Sequence, residues 1–251
     1  MSSNKEIFSP ITDHILSTQL NKEEAKEQGN FVYDKPTIEN SVMLFVDHQI
    51  GLMAGVRDFQ NLSAYKSNVL GLAKTAIAAK IPVLITSSNA QWQNGDTLPE
   101  LKALFPDEPI YRRTGIINAY EDPTFRKALL DLLEKTGRTH IIISGVTLGT
   151  CVTFPTLSLL NDGFKVFPVI DASGAWNNYE ATAAITRMSN AGAEPVTVFP
   201  LACELRADWK GETANDMFTP FVENLPEYAW LIKTYWDTAT GAGVKDPFKE
   251  N

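Results

Sequence analysis

Short apolar, β-branched runs separated by longer stretches with helical spacing constrain this chain most, because that alternation marks βαβ units around a mostly parallel sheet. The runs are Val42–Val46, Pro82–Ser87, Thr139–Gly145, Lys165–Ile170 and Pro195–Phe199, each read as a strand. Their near-continuous apolar character predicts helices covering both sheet faces. Between them, Leu62–Lys80, Pro123–Lys135, Cys151–Asn161 and Tyr179–Ala191 carry apolar residues at helical spacing. In the second of these, Phe125, Leu129, Leu130, Leu132 and Leu133 form a core-facing stripe, with Asp122 as N-cap and Gly137 as the stop. The 251 residues suffice to bury a full core in one large α/β domain.

The flanks differ from this core. Residues 1–40 hold a polar amphipathic helix candidate, Asp13–Glu27, with no strand to pair with, and read as an N-terminal arm. Residues 41–210 carry the alternating pattern, and residues 211–251 form a C-terminal helical segment. Phe218, Phe221, Tyr228, Trp230, Tyr235 and Trp236 make that last segment too apolar for a free tail, so it is expected to cap the core or a subunit interface.

Charge and cysteine usage exclude several classes of function. Thirty acidic against 22 basic side chains give a formal charge of -8, which repels phosphate backbones and anionic headgroups, so neither nucleic acid nor a membrane surface is an expected partner. Two distant cysteines, Cys151 and Cys203, form no CxxC or Cys/His cluster, so no metal site is expected and both read as reduced thiols. The start, MSSNKEIFSP, lacks an apolar leader core, and no apolar run approaches the roughly 18 residues of a membrane span, which points to the cytoplasm. There is no GxGxxG after a strand, no GxxxxGK[ST] and no GxSxG, so no nucleotide cofactor and no serine nucleophile are indicated.

In open parallel sheets, ligands bind beyond the carboxyl ends of the strands. The first strand finishes in Val46-Asp47-His48-Gln49, placing a carboxylate at a strand tip, where it is either a general base or a turn residue. The strand Thr139–Gly145 runs through Val146-Thr147-Leu148-Gly149-Thr150 into Cys151. Because proline is tolerated only in the first helical turn, Pro155 sets the helix start at about Cys151. A thiol there reads either as a nucleophile, its pKa lowered to about 3.5–7.5 by the helix terminus, or as an inert buried cysteine. Cys203, within Leu201-Ala202-Cys203-Glu204-Leu205, reads as packing. Arg112-Arg113, between two polar loops, supplies a cation that could serve both Asp47 and the thiol. His48 is a poor partner for Cys151 if Asp47 faces the site, since adjacent strand residues point to opposite faces. Trp92 and Trp176 occupy loops at strand carboxyl ends and suit a planar substrate.

Asp, basic residue and Cys in this order resemble the isochorismatase-like cysteine hydrolases, in particular their YcaC-like branch. The resemblance is carried by Val46-Asp47-His48-Gln49-Ile50-Gly51-Leu52, Phe105-Pro106-Asp107, Arg113-Thr114-Gly115-Ile116-Ile117-Asn118-Ala119, Gly145-Val146 and Cys151-Val152. Downstream, Asp171-Ala172-Ser173-Gly174, Arg187–Ala193 and Ala202–Trp209 also fit. It covers residues 40–240 and implies a doubly wound, three-layer α/β/α fold of the Rossmann-like kind.

The resemblance further implies a metal-free triad acting on small amides: Asp47 as base, Arg113 as cation and Cys151 as nucleophile. The backbone N–H groups of Thr150 and Cys151 would form the oxyanion hole, the Val146–Thr147 peptide would be cis, and Gln49, Asn118 and Leu148 would join Trp92 and Trp176 around the substrate. Three departures stand out. Arg113 replaces the wider family's lysine, Leu148 and Gly149 replace polar residues, and Ser88-Asn89-Ala90-Gln91-Trp92 lacks the Asp-x-His metal motif of the nicotinamidase members. The expected activity is cofactor-free hydrolysis of a C–N bond in a small, uncharged or anionic amide, through a thioester, by a homo-oligomer. Isochorismatase-type ether hydrolysis and a non-catalytic small-molecule-binding oligomer are the alternatives.

Overall fold

The computed structural model describes residues 32–210 and 218–243. The helix candidate Asp13–Glu27 lies outside them. The elements run β1 (Ser41–Val46), α1 (Ile50–Met53), α2 (Leu62–Ala78), β2 (Val83–Ser88), α3 (Pro99–Leu104), β3 (Ile110–Arg113), a 3₁₀ turn (Ala119–Glu121), α4 (Pro123–Thr136) and β4 (His140–Gly145). A π-helical turn (Leu148–Val152), α5 (Thr153–Asn161), β5 (Lys165–Pro168), α6 (Asn178–Asn190), α7 (Val198–Arg206), α8 (Phe218–Asn224) and α9 (Pro226–Gly241) follow. Among these helices none is long and apolar enough to cross a membrane.

Five parallel strands in the order β3-β2-β1-β4-β5 form one sheet, and the order reverses at β1. All six residues of β1 are buried. Met43 and Phe45 point into the cluster beneath α2 and α7, which also takes Phe221 of α8, while Val42, Leu44 and Val46 point into the opposite cluster beneath α4, α5 and α6. Burial on both faces explains why β1 reads as an unbroken apolar run. This is a doubly wound, three-layer α/β/α fold.

Local chemistry sets the helix ends. Asp122 accepts the Thr124 and Phe125 N–H groups at the start of α4, a cap worth about 1 kcal/mol, and Gly137 ends it with φ 68, where a side chain would be strained. Phe125, Leu129 and Leu133 of the predicted stripe are buried, and Leu130 and Leu132 pack at its margin.

Two sequence readings are corrected. Pro195–Phe199 is not a strand: one parallel bridge, Val169 to Val196, is all that forms, because Asp171 Oδ1 accepts the Val198 N–H at 2.9 Å and turns the chain into α7. Arg112 and Arg113 do not lie between loops but finish β3, a four-residue edge strand paired only with β2.

Parallel strands leave no space at the crossover. A Cβ on Gly145, the last residue of β4, would lie 2.3 Å from the carbonyl oxygen of Val46. The Val46 backbone cannot yield, so Gly145→Ala is expected to cost about 3 kcal/mol or more, read as a lower urea midpoint.

Candidate active site

The site is assembled where the strand order reverses, from the chain following β1, β3 and β4. Asp47 follows β1 in a left-handed conformation, φ 57, which an aspartate tolerates better than most residues. Arg113, two strands away, reaches it across β2. One guanidinium nitrogen, Nη2, donates to both Asp47 oxygens, and neither side chain has any exposed surface. Nε donates to Thr86 Oγ1 on the intervening strand at 3.1 Å, and Thr86 in turn donates to the Tyr111 carbonyl at 2.7 Å. Nη1 donates to the Ile116 and Ile117 carbonyls at 2.6 and 2.8 Å. The grip therefore differs from a two-nitrogen fork: one nitrogen holds the carboxylate and the rest of the guanidinium holds the following loop.

Cys151 enters from the other side of β1. After β4 the Val146–Thr147 peptide is cis, and the chain closes a wide turn in which the Val152 N–H donates to Thr147 O at 3.3 Å. The i to i+5 spacing marks the turn as π-helical, so the helical run begins at Leu148, three residues before the limit inferred from Pro155, and the α-helix proper starts at Thr153. The turn is pinned from below by Leu148 N–H on the Gly174 carbonyl at 2.7 Å.

The thiol is buried close enough to the Asp47 carboxylate to feel its charge, and Thr150 Oγ1 donates to Sγ at 3.6 Å. Burial pushes the Cys151 pKa up to about 12, the Asp47 charge adds to the rise, and Arg113 offsets only part of it. The lowered pKa that one of the two sequence readings attached to this thiol is not met: burial holds the resting thiol neutral beside the carboxylate. Asp47 is itself raised by burial, partly offset by Arg113.

Beside the thiol lies a cavity of about 450 Å³, a size suited to a small molecule. Thr147, Gly149, Thr150 and Cys151 line one side, and Leu52, Ile117 and Trp176 supply its apolar surface. Ser88, Asn94 and Glu180 contribute polar groups.

Of the residues expected around a substrate, Trp176 alone lines this cavity. Gln49 is buried and its amide is consumed by backbone, donating to Gly95 O at 2.6 Å and accepting from Ser88 N–H at 2.8 Å. Asn118 caps the 3₁₀ turn, accepting from Tyr120 N–H and donating to Glu121 and Ser158. Leu148 packs into the core, and Trp92 is 64% exposed outside the cavity lining. The Thr150 N–H, expected in the oxyanion hole, makes a long bond to Thr147 O at 3.3 Å. His48 is buried away from the thiol between Tyr65 and Ser144, at 2.8 and 3.0 Å, and burial lowers its pKa to about 3. Thr86 and Glu180 were not found from sequence; a threonine in a strand and an acid in a first helical turn both have ordinary structural explanations.

Residues 41–198 match the isochorismatase domain model. The chain belongs to the isochorismatase family. It is 41% identical over 201 residues to the probable hydrolase YcaC of Escherichia coli, spanning 80% of this chain and 93% of that protein. Two solved structures share the fold at a TM-score of 0.77 and 41% identity. One is Pseudomonas aeruginosa YcaC with hexane-2,5-diol and covalent acrylamide, covering 82% of this chain and 99% of that one. The other is the Escherichia coli YcaC product, an octameric hydrolase of unknown specificity, covering 83% and 99%. This chain is thus a YcaC-like hydrolase of the isochorismatase family.

Removing Arg113 strands a buried carboxylate. Arg113→Ala is expected to lower unfolding free energy by about 3–5 kcal/mol in urea titrations. Arg113→Lys keeps the charge but frees the Ile116 and Ile117 carbonyls, so a smaller loss of about 1–3 kcal/mol is expected.

Proposed function

We propose that this YcaC-like hydrolase cleaves the C–N bond of a small amide through a thioester on Cys151. The carrying observation is a cysteine thiol that lines a small cavity with the buried Asp47–Arg113 pair beside it. As Sγ attacks the amide carbon, Asp47 takes the thiol proton and the carbonyl electron pair moves onto oxygen. The Cys151 and Thr150 N–H groups receive that oxyanion. Collapse of the adduct breaks the C–N bond, and protonated Asp47 hands its proton to the leaving nitrogen. Asp47 then deprotonates a water that attacks the thioester, and the thiolate leaves and recovers the proton. Arg113 keeps Asp47 oriented and ionised between steps.

Two observations support this reading. Acrylamide, held covalently by the Pseudomonas aeruginosa relative, is both an amide and a thiol-reactive electrophile. The thiol lines a cavity of about 450 Å³ that is bounded by apolar and polar side chains together, a lining suited to a small amide.

The same reading extends to assembly. The Escherichia coli relative is octameric, and α9 exposes Trp230, Leu231 and Tyr235. Light scattering at micromolar concentration is expected to give a multiple of the 27.8 kDa chain mass.

The pH profile tests the base. With the Asp47 carboxylate required and its pKa raised by burial, alkylation of Cys151 by iodoacetamide should fall as pH drops through that raised value and be level above it. A thiol near 12 adds no second limb below pH 10. Asp47→Asn should slow alkylation at pH 7 by about 10²-fold and make it rise tenfold per pH unit. A wild-type profile that Asp47→Asn leaves unchanged would sink the mechanism in which Asp47 takes the thiol proton.

A further inference from the structure

The charge that a substrate meets in the Cys151 cavity comes from neither Asp47 nor Arg113. Those two neutralise one another in the core with no exposed side-chain surface. Of the side chains lining the cavity among the described residues, Glu180 alone is charged. It sits in the first turn of α6, whose N-cap is Asn177, and leans across the turn that bears the thiol. Its Oε1 accepts the Gly149 N–H at 3.2 Å and its Oε2 accepts the Trp176 N–H at 2.9 Å, leaving each oxygen a further acceptor position.

Two further features fit a cation or an N–H donor beside that carboxylate. A Cβ at residue 149 would stand 2.8 Å from Glu180 Oε1 and 2.9 Å from its Cγ, so glycine there is what lets the carboxylate lie over the turn. The Trp176 side chain, 51% exposed, shares the cavity wall, and a carboxylate next to an aromatic face is a setting in which ammonium groups are held by charge and by the ring together.

We infer that the cavity selects small amides that are neutral or carry an ammonium group, and rejects anionic ones, with Glu180 as the specificity-determining residue. This rests on reading the Cys151 cavity as the substrate site. It reverses half of the charge preference expected from the sequence, where uncharged and anionic amides stood together. The amide carbonyl meets Cys151 while the distal amine or N–H group lies between Glu180 and Trp176.

Thiol reagents of opposite charge test this without a known substrate. Cys151 is labelled with 2-(trimethylammonium)ethyl methanethiosulfonate, with 2-sulfonatoethyl methanethiosulfonate and with neutral iodoacetamide, and site-resolved mass spectrometry separates it from Cys203. Each charged-reagent rate is divided by the same protein's iodoacetamide rate, so a disturbed turn cancels. The cationic-to-anionic ratio at Cys151 is expected to fall roughly tenfold in Glu180→Gln and to keep its wild-type value in Glu134→Gln, an exposed acid on the outer helix α4. An unchanged ratio in Glu180→Gln overturns the inference and leaves Glu180 as a brace for the turn. An equal fall in Glu134→Gln also overturns it, by tracing selection to the overall charge of -8. So does a Cys151 that none of the three reagents labels. Failure of every amide to turn over would sink the hydrolase reading while leaving the labelling ratio to stand or fall on its own.

Discussion

The buried pair of Asp47 and Arg113 is the interaction on which the rest of the site depends. Withdrawing two charges from water costs several kcal/mol per ion, and only close geometry with all remaining donors satisfied offsets it. Those conditions are met by the fold itself. Asp47 follows the central strand, Arg113 ends the edge strand two positions away, and Thr86 on the strand between them accepts Nε. The two carbonyls after β3 take Nη1, so the cation that holds the base also fixes the Ile117 wall of the cavity. Positioning of the base and shaping of the substrate wall are thus one structural event.

Magnitudes decide the resting state of the thiol. A helix N-terminus favours an anion by up to about 2 kcal/mol. A thiol pKa carried from 9.0 to about 12 corresponds to about 4 kcal/mol against the thiolate, so burial and the neighbouring carboxylate win. Geometry works in the same direction, because Cys151 lies in a wide π-helical turn rather than in the first turn of α5. In the proposed mechanism the nucleophile is therefore formed only as it reacts, which places the burden of activation on Asp47.

How much of this was legible in the sequence follows from which forces act locally. β1, β2 and β4 are found within a residue or so because burial on both faces demands apolar residues throughout. β3 escapes because a four-residue edge strand ending in two arginines needs no apolar run. Pro195–Phe199 misleads because its pattern suits a strand, while a carboxylate 27 residues away caps it into a helix. The Asp, Arg and Cys positions are carried by the family pattern, yet the use of the polar residues beside them is not: Gln49 spends its amide on backbone, and Asn118 spends its own on the Tyr120 N–H and the Glu121 and Ser158 side chains. Glu180 is separated by 31 residues from the glycine it covers, and only the fold brings them together.

The catalytic and the selective halves of the site differ in how freely they can change. Asp47, Arg113 and Thr86 are sealed in the sheet, and the turn bearing Cys151 is pinned by Gly174 and crowded at Gly145, where a single methyl would strike backbone. Any substitution there must repair a buried charge, a backbone bond or a clash at once. Leu52, Asn94, Trp176 and Glu180 stand in short helices or loops with solvent on one side, so replacing them disturbs partly exposed groups and no buried charge. On the proposed mechanism, a chain of this architecture can therefore alter what it binds at the rim while the buried Asp47–Arg113 pair beside the thiol stays fixed, which makes the rim the place where substrate choice would be written.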